Sequence, residues 1–227
     1  MKKFAVSIIL YFFLSVNLFS HLQHYADIKY LEYDLYRNND LIGSHKYNFI
    51  KNGDNLTVES VVNFKITKLG IDLYKYFAES VENYEKNVFK SFSSTTVQNK
   101  KNKYVKITLK SEKNKLYIDG SSYKGDADVN YMVGTWWNHE IVKAKAQISA
   151  ISGRIIEQKV IFLGKKQIEI NGKSFNALHF KFLSSDETLP DNKKLNTDIW
   201  YDAKTLVWLK AQFIKQGNWE YRLKKLN

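Results

Sequence analysis

The sequence predicts a mainly β protein, in which a curved antiparallel sheet forms a half-open or closed barrel with a short helix. Three observations support this fold class: apolar and polar residues alternate along many segments, turn residues separate those segments, and the chain has a single proline. Alternation with a period of two is typical of half-buried strands, with one face in a core and the other in water. Many short strands with regular turns favour a sandwich or barrel.

The alternating segments predict individual strands. Their apolar residues share one face: Val58, Val62, Phe64 and Ile66; Val105, Ile107 and Leu109; Ile168 and Ile170; Val207, Leu209, Ala211 and Phe213. Two Asn-Gly pairs provide the positive φ angles that a tight hairpin needs, at 52–53 and 171–172. Together these signals indicate antiparallel strands joined by short hairpins.

One segment departs from the strand pattern. Val142–Ile151 reads VKAKAQISAI, and Gly153 follows it as a stop signal. Alanine and lysine favour a helix, so we predict a short helix here, wrapped by the curved sheet. No internal repeat or linker-like change of composition occurs, so residues 21–227 are predicted to form one β-rich domain.

The first twenty residues have the features of a secretory signal peptide. They read MKKFAVSIILYFFLSVNLFS: two lysines, an apolar run over Phe4–Phe19 and a small residue, Ser20, at the exit. The apolar run is shorter than the ~20 residues of a spanning helix, which makes an uncleaved anchor the weaker alternative. We therefore expect export, with the protein periplasmic or secreted.

The charge argues against nucleic acid as a partner. The net charge is +12, to which Lys2 and Lys3 contribute two units. All but three of the 35 basic residues are lysines, the exceptions being Arg37, Arg154 and Arg222. Base and phosphate recognition favours the bidentate arginine fork, and the lysines here are scattered along the chain. We expect at most a weak contact with an anionic membrane surface.

The sequence indicates no catalytic residue, metal site or cofactor. It has no cysteine, which excludes disulfides, thiolate zinc sites, a cysteine nucleophile and lipoprotein anchoring through cysteine. No serine-nucleophile elbow, phosphate-binding glycine loop or dinucleotide motif occurs. The histidines after residue 20 are isolated and fit no strong ligand spacing: His21, His24, His45, His139 and His179.

Glu79, Glu82 and Glu85 would share one face of a helix and could form a carboxylate pair. The aromatic and β-branched residues around them favour a strand instead, on which Glu82 faces away from the other two. We interpret all three as solvated edge charges.

The string Gly134–His139 (GTWWNH) is the most unusual one in the chain. Adjacent tryptophans cannot face the same side of a strand, so one is expected at a rim or pocket mouth. Tryptophan combines a large apolar body with a polar N–H, which suits an acyl chain or a sugar face. The alternative is that one ring fills the core and the other covers it. The predicted ligand-binding residues are Trp136, Trp137, Trp200, Trp208 and Phe213.

Three strings carry a family resemblance: YDLYRNNDLIGSHKYNF over 33–49, KLGIDLYKYFAESVENYEKNVFKSFSST over 68–95, and IWYDAKTLVWLKAQF over 199–213. Their order resembles an uncharacterised family of exported bacterial proteins, a domain of unknown function. That family is similar in layout to the lipoprotein carriers LolA and LolB, where a half barrel wraps a helix and holds acyl chains. The resemblance implies an apolar ligand on the concave face and supplies no catalytic residues.

We therefore expect a non-enzymatic periplasmic protein that binds a lipid or other apolar small molecule on its curved sheet. One alternative is an envelope assembly or protein-interaction factor, which predicts an exposed apolar patch or an open sheet edge. The other is an envelope hydrolase that combines His139 or His179 with Glu82 or Asp202.

Overall fold

The computed structural model describes Tyr25 and residues 27–227. The predicted signal peptide, residues 1–20, lies outside the described residues, as do His21 and His24. Within the described chain, fifteen strands form one sheet. The helical elements there are short 3₁₀ turns, at Ser111–Lys113, His139–Lys143 and Asp191–Lys193.

The strands form two arms. The first arm consists of β1 (Tyr30–Arg37), β2 (Asp40–Asn52), β3 (Asn55–Lys68), β4 (Ile71–Glu85), β5 (Val88–Gln98), β6 (Lys101–Lys110), β7 (Lys115–Gly120) and β8 (Lys124–Asp128). The second arm consists of β9 (Met132–Val133), β10 (Ala146–Ile148), β11 (Ile155–Ile170), β12 (Lys173–Ser184), β13 (Asn196–Asp202), β14 (Trp208–Ile214) and β15 (Asn218–Leu226).

The two arms meet at the middle of the sheet. The spatial order is β8-β7-β6-β5-β4-β3-β2-β1-β15-β14-β13-β12-β11-β10-β9. The first and last strands pair antiparallel at its centre, with Leu35 opposite Tyr221. Every ladder is antiparallel except the short parallel pairing of β9 with β10. The chain thus follows one arm outward and the other back to the starting strand.

This order forces the sheet to curl. The two outermost strands, β8 and β9, are separated along the chain by only residues 129–131. A connection of that length spans at most roughly 15 Å, so the two edges of the sheet must approach each other there. In the described chain no ladder joins these two strands. The mainly β fold class is confirmed, as a single curved sheet that is not closed into a barrel.

Side-chain packing and one turn connect the two outer edges of the sheet. Val133 of β9 and Ile148 of β10 pack in one buried cluster with residues of the first arm, among them Ile107 and Ile118. The turn 149–153 also reaches across, since the Ser152 carbonyl accepts a hydrogen bond from the Ser122 amide at 2.8 Å. The edges are therefore joined by packing and a few turn hydrogen bonds.

The predicted helix over Val142–Ile151 is wrong. Only its start belongs to a 3₁₀ turn, and Ala146–Ile148 forms β10, which pairs with β11 on one side and β9 on the other. All three residues of β10 are buried. A short isolated helix is marginal in water, so burial and two ladder partners outweigh the helix propensity of alanine and lysine.

The alternating segments do form strands, and their turns define two ends of the curved sheet. We name the end with turns 38–39, 69–70, 99–100 and 215–217 the open end. The opposite end, with turns 53–54, 86–87, 111–114 and 171–172, is the closed end.

Gly153 tests the contact between the edges. It has φ +76°, and a Cβ there would lie 2.9 Å from Ile118 Cγ2, whereas Gly172 has φ +74° and open space. Both Gly→Ala changes incur a backbone cost of about 1 kcal/mol, and Gly153→Ala adds about 1–3 kcal/mol of overpacking. We expect urea unfolding to show Gly153→Ala as the less stable variant. Equal losses for the two variants would contradict a tight contact at Gly153.

Candidate functional site

The segment 134–145, which we name the plug, lies against the inward face of the sheet. Tyrosine side chains of the sheet satisfy its backbone: Tyr47 donates to the Thr135 carbonyl at 2.6 Å, and Tyr201 donates to the Trp136 carbonyl at 2.9 Å. A buried irregular segment needs such partners, because its peptide groups have no ladder. These bonds fix the plug in one position.

Trp137 anchors the plug. Its ring is fully buried and makes edge contacts with Tyr25, Phe49 and Tyr84 at centroid distances of 5.1–5.9 Å. Its Nε1 donates to Glu82 Oε2 at 2.9 Å. The indole thus fills the closed end with apolar area and satisfies its N–H on a buried carboxylate.

Glu82 is the central acceptor of this network. It also receives hydrogen bonds from the hydroxyls of Tyr84 and Thr135. Burial raises the pKa of the Glu82 carboxyl, and the three donated hydrogen bonds partly oppose that rise. The interpretation of Glu82 as a solvated edge charge is wrong, since its side chain is buried; Glu85 at the end of β4 is exposed. A charge run that looks ordinary in the sequence therefore contains a core residue.

Above the plug, small side chains leave the interior unfilled. Ser60 of β3, Ser80 of β4 and Ser94 of β5 are register partners across three adjacent strands. The hydroxyls of Ser60 and Ser80 lie 2.9 Å apart, and Ser94 donates to the carbonyl of Ala150. The next row towards the open end is also small: Val62, Ala78 and Thr96.

The result is a cavity of about 820 Å³ at the open end. Its lining mixes apolar and aromatic side chains with hydroxyls and amides. Residues of both arms contribute, from β2 to β6 in the first arm and from β10, β11, β13, β14 and β15 in the second, and the plug forms part of the wall. Such a volume lies within the range of ordinary small-molecule sites.

His45 of β2 is part of the cavity wall and is buried. Among the described residues neither ring nitrogen has a hydrogen-bond partner. Burial lowers the pKa of His45 to about 3, so the imidazole is neutral near pH 7 and presents one donor and one acceptor. Sequence reasoning did not select His45, because an isolated histidine on a strand gives no signal until its neighbours are known.

Two of the predicted ligand-binding residues line the cavity, Trp136 and Phe213. Trp136 has φ +61°, and its Nε1 donates to Gln147 Oε1 at 3.3 Å. The left-handed backbone at Trp136 turns its ring away from that of Trp137. One tryptophan of the pair thus lies at the cavity and the other in the core.

The other three predicted residues, Trp137, Trp200 and Trp208, lie outside the lining that the described residues form. Trp208 is fully buried and stacks on Tyr33 at a centroid distance of 4.1 Å. Trp200 stacks on His179 at 4.2 Å, and the Nζ of Lys210 lies over its ring. These three rings have structural neighbours that satisfy their packing.

In the described part of the chain, the histidines suggested for a hydrolase contact other groups than Glu82 or Asp202. His139 lies 3.0 Å from the Tyr25 hydroxyl, and His179 Nε2 lies 2.7 Å from Asp198. Asp202 instead accepts hydrogen bonds within its own turn, from the amides of residues 204 and 205. Within Tyr25 and residues 27–227, no group of three or more His, Asp or Glu has a metal-binding arrangement.

A family described as domain of unknown function DUF6134 matches residues 33–224. The chain belongs to this family. The resemblance drawn from the sequence to an uncharacterised family with a curved sheet is thereby confirmed. No protein with a curated description matches the chain. Among its described residues, no helix is long and apolar enough to cross a membrane.

Two solved structures are similar to the chain to different degrees. A β-barrel-like protein of domain of unknown function DUF1849 from Brucella abortus is similar with a TM-score of 0.61 and 12% identity, covering 88% of this chain and 97% of that one. A DUF1329 family protein from Desulfovibrio piger aligns over 91% of this chain and 89% of its own at 8% identity and a TM-score of 0.23. The first likeness shows a shared fold.

The Glu82 network predicts distinct outcomes for two substitutions. Glu82→Gln keeps an acceptor for Trp137 and should cost about 1 kcal/mol. Glu82→Ala leaves buried donors unpaired and should cost about 3–5 kcal/mol. Exposed Glu79→Ala is the control, expected within about 0.5 kcal/mol. Urea unfolding of each variant gives these values, and an equal loss for Glu82→Gln and Glu82→Ala would contradict the assigned role.

The same network predicts a pH dependence. Because the folded-state pKa of Glu82 is raised, the folded protein binds more protons than the unfolded chain above the ordinary glutamate value. The contribution of Glu82 to the free energy of unfolding therefore falls as the pH rises from the ordinary glutamate pKa to the raised pKa of the folded state. The stability difference between wild type and Glu82→Gln should shift in favour of the variant with rising pH, and a constant difference would argue against a raised pKa.

Proposed function

We propose that this protein is a non-enzymatic binding protein that takes up a lipid or other apolar small molecule in the open-end cavity. The observation that carries the proposal is the cavity itself, about 820 Å³ in volume with a mixed apolar and polar lining. Small-molecule sites combine apolar walls with a few convergent polar groups in this way. Together with the export predicted from residues 1–20, this gives a ligand-binding role in the periplasm.

The residues that line the cavity favour a site for a ligand over a void left by imperfect packing. The rows Ser60–Ser80–Ser94 and Val62–Ala78–Thr96 hold the volume open across three strands, and larger residues there would fill it. His45 adds a neutral donor and acceptor with no partner in the described chain. Both ring nitrogens are closed to solvent in this structure, so an occupant or a water would bond to them only after a small movement of the cavity wall.

Blocking the cavity tests the proposal. Ala78 lines the cavity, whereas its neighbour Phe77 is 40% exposed. Ala78→Trp should place a bulky ring in the cavity and weaken binding, and Phe77→Trp is the matched control that should bind normally. The measurement is native mass spectrometry of protein from a bacterial periplasm, before and after organic extraction, followed by fatty-acid titration. A folded wild type that neither carries nor takes up an apolar molecule would refute the proposal.

A second candidate function is contact with an anionic membrane surface, and the observation that favours it is a protruding hairpin, residues 65–74. β2 pairs with β3 only as far as Phe64, and β5 pairs with β4 only as far as Tyr76. In the described chain the hairpin strands have no other ladder partner beyond these points, although the Asn99 side chain donates a hydrogen bond to the Leu73 carbonyl at 3.3 Å. The hairpin therefore projects beyond the strands on either side of it and is available to contact a surface.

The hairpin tip is apolar and flanked by lysines. Leu69, Ile71 and Leu73 are 93%, 65% and 55% exposed. Lys65 and Lys68 are also on the hairpin, where Asp72 is the acidic residue. Apolar side chains between lysines favour an anionic lipid surface, where each lysine contributes about 1 kcal/mol. A protein partner is the alternative occupant.

Vesicle binding tests the hairpin. Leu69→Glu combined with Ile71→Glu should reduce co-sedimentation with phosphatidylglycerol vesicles by about tenfold or more, because it removes apolar insertion and adds repulsion. Val88→Glu with Ile50→Glu is the control, since both residues are about half exposed at the closed end. Equal binding by the two double variants would show that the hairpin does not contact the membrane.

A further inference from the structure

The mouth of the cavity carries a cluster of cations, which we name the basic rim. It consists of Lys103, Arg154, Lys193, Lys194 and Lys215, all of which line the cavity. They come from four separate parts of the chain that meet at the open end: β6, the residue before β11, the loop before β13 and the β14–β15 turn. The fold therefore brings together basic residues that are far apart in the sequence.

The rim is poorly neutralised. Of its members, only Lys194 has a carboxylate within ion-pair distance in the described chain, Asp191 at 3.0 Å. Arg154 donates to a backbone carbonyl, that of Lys193, at 3.1 Å. Glu79 is the one acidic residue among the described residues of the lining. A cavity mouth with this balance attracts anions.

Lys215 shows that the charges act on one another. Partial desolvation of its ammonium group, together with nearby Arg154 and Lys103, lowers its pKa. Holding three cations this close in the folded protein is unfavourable unless an anion is present. An anionic group bound between them would remove that cost.

We propose that the basic rim binds the anionic head group of an amphiphile, a carboxylate or a phosphate, while the apolar tail enters the cavity. This inference rests on the proposed function, since it needs the cavity to hold a tail. Hydrogen bonds between cations and anionic oxygens are stronger than neutral ones, and arginine can bind such a group with two donors. The rim selects the ligand by charge, and the cavity selects it by apolar volume.

Calorimetric titration of the full chain with three ligands of equal chain length tests this: hexadecanoic acid, hexadecyl phosphate and hexadecanol. Wild type should bind both anions at least about tenfold more tightly than the alcohol. Arg154→Gln with Lys215→Gln should remove that preference and leave alcohol binding unchanged. Arg154→Lys with Lys215→Arg should keep it. The control is Lys106→Gln with Lys159→Gln, the same loss of charge at exposed positions.

The outcomes separate the two proposals. Failure of all three ligands to bind would refute the cavity itself. If hexadecanol binds as tightly as the anions, the cavity stands and the rim inference is wrong. Equal losses for alcohol and anions in the Gln variants would also overturn it, because the rim would then be structural. Inorganic phosphate that binds as tightly as hexadecyl phosphate would overturn the role of the tail.

Discussion

The structure depends on one constraint of chain connectivity. The sheet starts and ends at its central pair, β1 and β15, so the chain must pass from one outer edge to the other at its midpoint. Only residues 129–131 are available for that passage. A twisted sheet with edges so tied must curl, and curling creates a concave interior. The plug, the sealed edge and the cavity all follow from that interior.

The interior is then divided by side-chain size. At the closed end, large rings such as Trp137 fill the space. The buried carboxylate of Glu82 accepts the hydrogen bond that the Trp137 indole N–H donates. Towards the open end, the same inward positions carry serine, alanine and threonine. Stability therefore concentrates in the filled half, since that is where apolar area is buried. The unfilled half is free to vary its chemistry at smaller cost to the fold.

The sequence was sufficient to predict strands such as β3, β6 and β14, because alternation records which face of a strand is buried. It could not distinguish a core from a cavity, since both lie on the same inward face. Ser80 and Tyr84 occupy equivalent positions in the pattern of β4, yet one borders the cavity and the other packs under the plug. The short β10 was missed because its burial depends on partners distant in sequence. Glu82 was missed for the same reason.

Three separate features of the molecule lie together at the open end. The cavity mouth, the basic rim and the protruding hairpin all lie there, and Tyr74 belongs to both the hairpin and the cavity lining. An amphiphile that leaves a bilayer must keep its tail out of water and its head group hydrated. A hairpin that contacts the surface would bring the cavity mouth next to the head groups, and the rim would meet the anionic ones first. Under the two proposals together, the ligand would exchange with a membrane in preference to being captured as a free monomer from solution.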